Sequence, residues 1–412
     1  MNKKKIINDP LFGFITIHSD LLYDLINHPY FQRLRRIKQL GLADYVYPGA
    51  NHTRFNHAVG AMYLMGETLN NLRQKGIEIT EQEYVASLTA ILLHDIGHTP
   101  FSHAMEEVLL KQLHHESISL IIMEALNEEF SGALDLAIQI FKGEYSRKFF
   151  HQLVSSQLDV DRLDYLNRDS YFTGVVEGQV SANRIIKLLH VRNDEIVVEE
   201  KGIYSIENFL SARRLMYWQV YLHKTIVGIE SMLTQIIRRA RKMGGAGISH
   251  NMALEFFIQH DISGRELMSD SKVLDAFCSL DDYDLLAAIK YWRESNDTCL
   301  SSLCRMLTDR RLFKVQLAEE DFFTENIIAI QAQVAKEMNL SLEEVSYFVK
   351  HGIKSNKAYI GGGQKINVLT KTGEIIDIAN ASDLPNIKAM RNIVKKYYLC
   401  CPKEISIQDF KK

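Results

Sequence analysis

The sequence predicts a mainly α-helical protein with small β-hairpins and a smaller α+β region at its C-terminal end. Three observations lead there. Apolar residues recur at helical spacing over most of residues 21–352, as in the stripe Val85, Leu88, Ile91, Leu92. Helix-start signals are frequent, with capping boxes at Thr80/Glu83 and Ser341/Glu344. Strand-like alternation is confined to short stretches within 5–17, 195–206 and 365–401.

At 412 residues the chain has room for two domains or one large one. The pattern divides it into 1–245, a helical extension at 246–352, and a small α+β lobe at 353–412. A hydrophobic content of 46% and a charged content of 24% are ordinary for a globular protein. The formal charge of −3 gives no general pull toward nucleic acid, so strong nucleic-acid binding is not expected and a phosphate site must be local. No apolar run is long enough for a membrane span, and Met1-Asn2-Lys3-Lys4-Lys5-Ile6-Ile7-Asn8 lacks the apolar core of a secretory signal. Cys278, Cys299, Cys304, Cys400 and Cys401 are odd in number and lack ligand spacing, so they read as reduced thiols of a cytoplasmic protein.

Taken in order, residues 5–17 hold two apolar runs around Asp9-Pro10 and Gly13, which suggests a hairpin. Residues 21–40 are helical, broken at Pro29 and stopped at Gly41. Within them Phe31-Gln32-Arg33-Leu34-Arg35-Arg36-Ile37-Lys38 makes one face basic, either a solvated surface or a site for polyphosphate. Arg54-Phe55-Asn56-His57 opens a helix running to about Arg73 and ending at Gly76. The helix begun at Thr80 delivers His94-Asp95 at its end and is stopped by Gly97. Thr99-Pro100 starts the next, leaving His98 in the link and His103 in the first turn.

His114-His115-Glu116 begins a further apolar-periodic segment. Residues 147–169 read as one or two helices bearing Asp159, Asp161, Asp164 and Asp169, with Arg162 and Arg168 between them. Taken alone, these charges read as a solvated, salt-bridged face, on which Asp161 and Tyr165 share a side. Residues 195–206 alternate, with a hairpin signal at Lys201-Gly202. The longest periodic segment follows, one helix over 205–243, whose stripe Arg213, Tyr217, Tyr221, Lys224 reads either as the edge of the core or, by its composition, as a nucleotide site. Residues 250–352 are helical again and stop at Gly352. Gly361-Gly362-Gly363 lacks the Lys-Ser/Thr of a phosphate loop and reads as a connection to the final strands.

Chemistry concentrates at Leu92-Leu93-His94-Asp95-Ile96-Gly97-His98-Thr99-Pro100-Phe101-Ser102-His103. Of the 15 histidines, His52, His57, His94, His98, His103, His114 and His115 all fall between residues 52 and 115. His57, His94, Asp95 and Asp161 make a set of two imidazoles and two carboxylates, suited to Fe, Mn, Zn or, less well, Mg. Such a set leaves coordination positions open, and a metal there would acidify water and polarise a phosphoryl oxygen. His98, His103 and His115 are candidates for proton transfer and phosphate binding, with Glu116 placed to orient His115.

The spacing His57 … His94-Asp95 … Asp161 is similar to the H…HD…D signature of HD-domain metal phosphohydrolases. With Arg54-Phe55-Asn56-His57 and Asp159-Val160-Asp161-Arg162-Leu163-Asp164-Tyr165, the chain resembles the deoxynucleoside triphosphate triphosphohydrolases. The likeness begins at Ile7-Asn8-Asp9-Pro10 and includes Tyr47-Pro48-Gly49-Ala50 and Tyr221-Leu222-His223-Lys224. It continues more loosely through Arg310-Arg311-Leu312-Phe313-Lys314. It implies an HD-domain helical bundle in which His57, His94, Asp95 and Asp161 hold a divalent metal. His98, His103 and His115 would lie beside the triphosphate, with His115 and Glu116 as a proton relay. It further implies that Arg54, Arg162, Tyr165 and Arg213 touch phosphate oxygens. Gln39 and Asp169 would bind the sugar 3′-hydroxyl, while Leu40 and Tyr221 crowd the 2′ position. Attack at the α-phosphorus would release a deoxynucleoside and tripolyphosphate.

Lys5, Asn27, Gln32 and Arg35 match a nucleotide activator site, which in this family lies between subunits, so a homo-oligomer (dimer or tetramer) is implied. Asn27 stands where guanine-activated relatives carry aspartate. Amide and carboxylate differ in donor and acceptor pattern, so guanine selectivity does not carry over. Two other readings stay open: an HD-type phosphohydrolase or phosphodiesterase for another nucleotide, and a nucleotide-binding regulator. The set of intact ligand types speaks against the second.

Overall fold

The structure, a computed structural model, describes residues 5–110, 113–244, 252–356, 365–385, 387, 394–403 and 405. The side chains of His103, Ala104, Glu107, Met252 and Asn356 lie outside that description, as does the glycine triplet at 361–363. The expected hairpin is present: β1 (Lys5–Asp9) pairs antiparallel with β2 (Gly13–Ile17). Asp9 shapes its turn, with Oδ1 accepting from Leu11 N and Phe12 N at 2.9 and 3.1 Å.

Helices α1 (Asp20–Asn27) and α2 (Pro29–Gln32) are separated at His28-Pro29, and a tighter turn over Arg33–Arg36 follows. Helical structure ends there rather than at residue 40. The cause is a distant pairing: Ile37 O accepts from Arg54 N at 2.9 Å, and Gln39 N donates to His52 O at 3.0 Å. Two of the basic residues are structural. Arg33 is fully buried, and Arg36 pairs with Asp281.

The helical body then follows as α3 (Arg54–Gln74), α4 (Glu81–Leu93), α5 (His103–Leu109), α6 (His115–Glu129), α7 (Asp135–Lys142), α8 (Lys148–Val154), α9 (Val160–Thr173) and α10 (Ala182–Leu188). The capping box of α4 forms as read, with Glu83 N donating to Thr80 Oγ1 at 3.1 Å and Thr80 N donating to Glu83 Oε2 at 2.8 Å. Thr99-Pro100 does not begin α5. Residues 99–102 form a turn in which Phe101 and Ser102 both adopt φ of 53°. That left-handed conformation is costly for non-glycine residues and persists only when the surroundings impose it. Here Asp282 Oδ1 accepts from Phe101 N at 2.7 Å.

The next hairpin joins β3 (Leu189–Arg192) to β4 (Glu195–Glu199). Its turn is Asn193-Asp194, both at positive φ, and not Lys201-Gly202, which lies in the turn opening α11 (Ile203–Met216). The single helix expected over 205–243 is broken. After α11 the backbone widens into a π-turn over Tyr217–Tyr221, and α12 (Lys224–Lys242) starts afresh. His223 caps it, with Nδ1 accepting from Thr225 N at 3.3 Å. Neither proline nor glycine marks this break, so periodicity alone reads through it.

Short helices fill residues 252–308, before β5 (Phe313–Ala318). Strand β6 (Lys350–Asn356) passes through Gly352, which therefore stops nothing. Strands β7 (Asn367–Leu369) and β8 (Ile375–Asp377) extend the β3-β4 hairpin to the order β3-β4-β7-β8. Strand β9 (Val394–Pro402) lies between β5 and β6. These pairings cross the boundaries expected at 246 and 353. All five cysteines are free and buried, and among the described residues no helix is long and apolar enough to cross a membrane.

The packing that matters most for the site is α3 against α9, where Gly60 faces Arg168 and Asp164. A Cβ at Gly60 would stand 2.1 Å from Arg168 Nη2 and 2.1 Å from Asp164 Oδ1. Both groups are held by other bonds and cannot retreat. We expect Gly60→Ala to destabilise the protein by about 1–3 kcal/mol, the usual range for overpacking a filled core. Chemical unfolding of the two proteins measures it, and an unchanged midpoint would contradict the close approach.

Candidate metal and phosphate site

Helix α3 contributes His57, one turn from its start, and α4 ends at Leu93 so that His94 and Asp95 emerge from its last turn. Helix α9 contributes Asp161 from its first turn. His57 Nε2 lies 3.1 Å and His94 Nε2 3.5 Å from Asp161 Oδ1. Both nitrogens are buried, and neither has a hydrogen-bond partner of good geometry. The opposite nitrogens are tied down: His57 Nδ1 to Asp164 Oδ2 at 2.7 Å, and His94 Nδ1 to Ile91 O at 2.6 Å. A histidine ligand is normally oriented by such a bond on its other nitrogen. The buried Nε2 pair, aimed at a common carboxylate, therefore fits a divalent metal, and these three residues could hold one.

Asp95 sits between this group and a second one. Its Oδ1 is 3.4 Å from His94 Nε2 and 3.3 Å from His98 Nε2, while its Oδ2 pairs with Arg54. Geometrically it joins His98 and His115 rather than the first three. Burial would raise the Asp95 carboxyl, but His94, His98 and Arg54 hold it well below the usual range. Burial, with Arg54 next, pushes the His98 imidazole down to about 3. His98 is therefore neutral at physiological pH.

Helix α6 comes close because residue 97 is glycine. A Cβ there would meet Ser119 N at 2.3 Å and His115 O at 2.4 Å. This approach stacks His115 on His98 with ring centroids 3.9 Å apart. The acid beside His115 is not Glu116, which lies exposed on α6, but Glu106 of α5. Glu106 Oε1 is 3.1 Å from His115 Nδ1 and 3.4 Å from His98 Nδ1. Adjacency in sequence points to Glu116, and no motif marks Glu106. His103 begins α5, and its side chain is outside the described residues.

A cavity of about 380 Å³ opens over these groups, within the range of small-molecule sites. Gln39, Leu40, Arg54, Asp95, His98, His115, Asp161, Tyr165, Asp169 and Tyr221 line it. Arg162 and Arg213 do not: Arg162 turns to Asp159, and Arg213 Nη1 donates to Gln157 Oε1 at 3.0 Å. Val220 and Tyr221 at the end of the π-turn, and Leu222 just after it, all line the cavity. Lys224 is past the break and exposed. Tyr217, seen only as part of the stripe, also lines the wall.

Asp164 is not part of a solvated face. It is fully buried, bonds His57, and receives Arg168 Nε and Nη2 at 2.9 and 2.8 Å. The activator candidates lie together in two pairs near β1: Lys5 Nζ donates to Asn27 Oδ1 at 3.0 Å, and Arg35 Nε to Gln32 Oε1 at 2.9 Å.

Residues 54–169 match the HD domain family, and residues 180–255 match the HD associated region. The Bacillus subtilis protein YwfO, described as uncharacterized, is 30% identical over 98% of this chain and 94% of its own length. The Dictyostelium discoideum homolog of the deoxynucleoside triphosphate triphosphohydrolase SAMHD1 is 33% identical over 57% of this chain. The match spans about half of that protein, 49%. A crystal structure of a phosphohydrolase from Bacteroides thetaiotaomicron is 49% identical, with a TM-score of 0.93. It covers 97% of this chain and 100% of its own.

Burial would lower the His57 imidazole, but the Asp161 carboxylate 3.1 Å from Nε2 and the Asp164 carboxylate bonded to Nδ1 outweigh that and hold it up at about 10. A raised histidine stabilises the metal-free fold fully below the ordinary value of 6.5, and that stabilisation is lost as pH rises through about 10. Stability of the metal-free protein is therefore expected to fall across that window. Mn²⁺ added near neutral pH must displace this proton, so its binding heat should vary with the ionisation enthalpy of the buffer. Heats that do not depend on the buffer would refute the protonated state. Asp164→Asn, by weakening the orientation of His57, should lower Mn²⁺ affinity about 10- to 100-fold in the same titration.

Proposed function

The chain belongs to the HD-domain phosphohydrolases, and from that premise we propose that it hydrolyses deoxynucleoside triphosphates to deoxynucleoside and tripolyphosphate. One observation carries the reading: the cavity is lined at one place by Asp95 and by Asp161, the carboxylate that His57 and His94 face, and at another by Gln39, Asp169 and Tyr221, side chains able to bond a hydroxyl. A site for inorganic phosphate alone has no use for the second half. The likeness to the Dictyostelium triphosphohydrolase supports the same substrate.

In this reading His57, His94, Asp95 and Asp161 hold one divalent ion, which when bound supplies Lewis-acid polarisation and a more acidic water. The remaining chemistry belongs to the chain. Arg54, braced by Ser102 Oγ at 2.9 Å and by Asp95, presents its charge to phosphate oxygens. Burial raises the Tyr165 hydroxyl and keeps it protonated, so it donates to phosphate. Arg162 and Arg213 would have to leave Asp159 and Gln157 to help. Water adds to the α-phosphorus, and the bond to the 5′-oxygen breaks. His115, positioned by Glu106 and by stacking on His98, delivers the proton that the departing 5′-oxygen needs. Leu40 and Tyr221 close the space beside the sugar.

Incubation with Mn²⁺ and each of the four deoxynucleoside triphosphates should yield tripolyphosphate. Asp161→Ala should reduce the rate by at least about a thousandfold, because metal and catalytic geometry are lost together. Pyrophosphate or single phosphates as products would instead favour another nucleotide phosphohydrolase. Lys5, Asn27, Gln32 and Arg35 are proposed to take an activating nucleotide between subunits, next to the exposed Ile6 and Phe14 of the hairpin. Light scattering should show a nucleotide-dependent oligomer, and a monomer under both conditions would contradict this.

A further inference from the structure

His52 lies two residues before α3 and does not line the cavity, yet it touches the sugar-binding wall twice. Its backbone carbonyl accepts from Gln39 N at 3.0 Å. Its ring Nε2 donates to Asp169 Oδ1 at 2.7 Å, with both side chains almost wholly buried. The other oxygen of that carboxylate, Oδ2, accepts from the Tyr221 hydroxyl at 2.8 Å. Burial keeps that hydroxyl protonated and therefore a donor. The imidazole lies flat against Phe172, with centroids 4.6 Å apart and planes 17° from parallel, so its direction is fixed. Gln39 Oε1 is buried in the wall without a hydrogen-bond partner, an acceptor left for a ligand's donor.

We propose that His52 is the positioning residue for substrate sugar recognition. It holds Gln39 through its main chain and Asp169 through its ring, so that an amide oxygen and a carboxylate oxygen converge on one ligand hydroxyl. The inference rests on the triphosphohydrolase reading. In it the 3′-hydroxyl is the donor, its single hydrogen shared between the two oxygens as a three-centre bond, since a deoxyribose sugar carries no other free hydroxyl. Without the Nε2–H bond the Asp169 carboxylate is free to rotate, and Tyr221 moves with it.

The test compares a deoxynucleoside triphosphate with the 2′,3′-dideoxy analogue of the same base, in the wild type, His52→Phe and His52→Gln. Phenylalanine keeps the stack on Phe172 and removes the donor, whereas glutamine offers an amide N–H. For His52→Phe, kcat/KM on the deoxynucleotide should fall about 10- to 100-fold, the worth of one hydrogen bond to a charged group. On the dideoxy analogue it should change less than about threefold, because the contact being organised is absent. Glutamine should restore part of the loss on the deoxynucleotide only. Equal losses on both substrates would make His52 merely structural, and no loss on the deoxynucleotide would remove it from the site. If the wild type releases tripolyphosphate from neither substrate, the functional reading itself fails and the inference goes with it.

Discussion

A buried guanidinium holds the site together. Arg168 is fully enclosed, and its charge is met on one side by Asp9 at 2.8 Å and on the other by Asp164. Asp164 in turn fixes the His57 ring. Four residues thus link the N-terminal hairpin, α9 and α3 in a single chain of charge. Such a network adds little over an apolar core while intact, but losing one member strands a charge in a dry interior, at a cost of about 3–5 kcal/mol. It also explains the glycine at residue 60, since no larger residue leaves room for the pair. Ligand orientation and fold stability therefore depend on the same atoms.

The turn between α4 and α5 is held by a complementary device. Arg33 donates to Leu280 O at 2.5 Å, Ile96 O at 3.2 Å and His98 O at 2.7 Å, satisfying carbonyls that a tight turn would otherwise leave unpaired. Asp282 accepts from Phe101 N and from Lys38 N. Both clamps draw on residues 280–282, more than 170 positions away along the chain. Residues 280–282 thus brace the turn between α4 and α5 from behind.

The cavity is chemically divided. Carboxylates, imidazoles and Arg54 crowd one part, where a polyphosphate and a cation would neutralise one another. Gln39, Tyr217 and Tyr221 supply an amide and aromatic surface to another part, where Asp169 is the one carboxylate among these four. The π-turn and its cap supply Tyr217, Val220, Tyr221 and Leu222 to this second part.

The sequence by itself determined the mainly helical class, the capping box of α4, the first hairpin, and the run of imidazoles and carboxylates from which His57, His94 and Asp161 gather. These depend on local periodicity and on residue chemistry at short spacing, both readable along the chain. Only the tertiary structure decided which groups meet. Glu106 replaces Glu116 beside His115 because α5 and α6 converge, not because the residues are adjacent. Asp164 reaches His57, His52 reaches Asp169, and Arg33 reaches Ile96, His98 and Leu280, all 63 to 247 residues away, and no local pattern records such a pairing. The break after Tyr221 carries no proline or glycine, so a continuous apolar period conceals it. Burial turned what read as a solvated acidic face into the buried charge network behind the site, because the meaning of a charge depends on the dielectric around it.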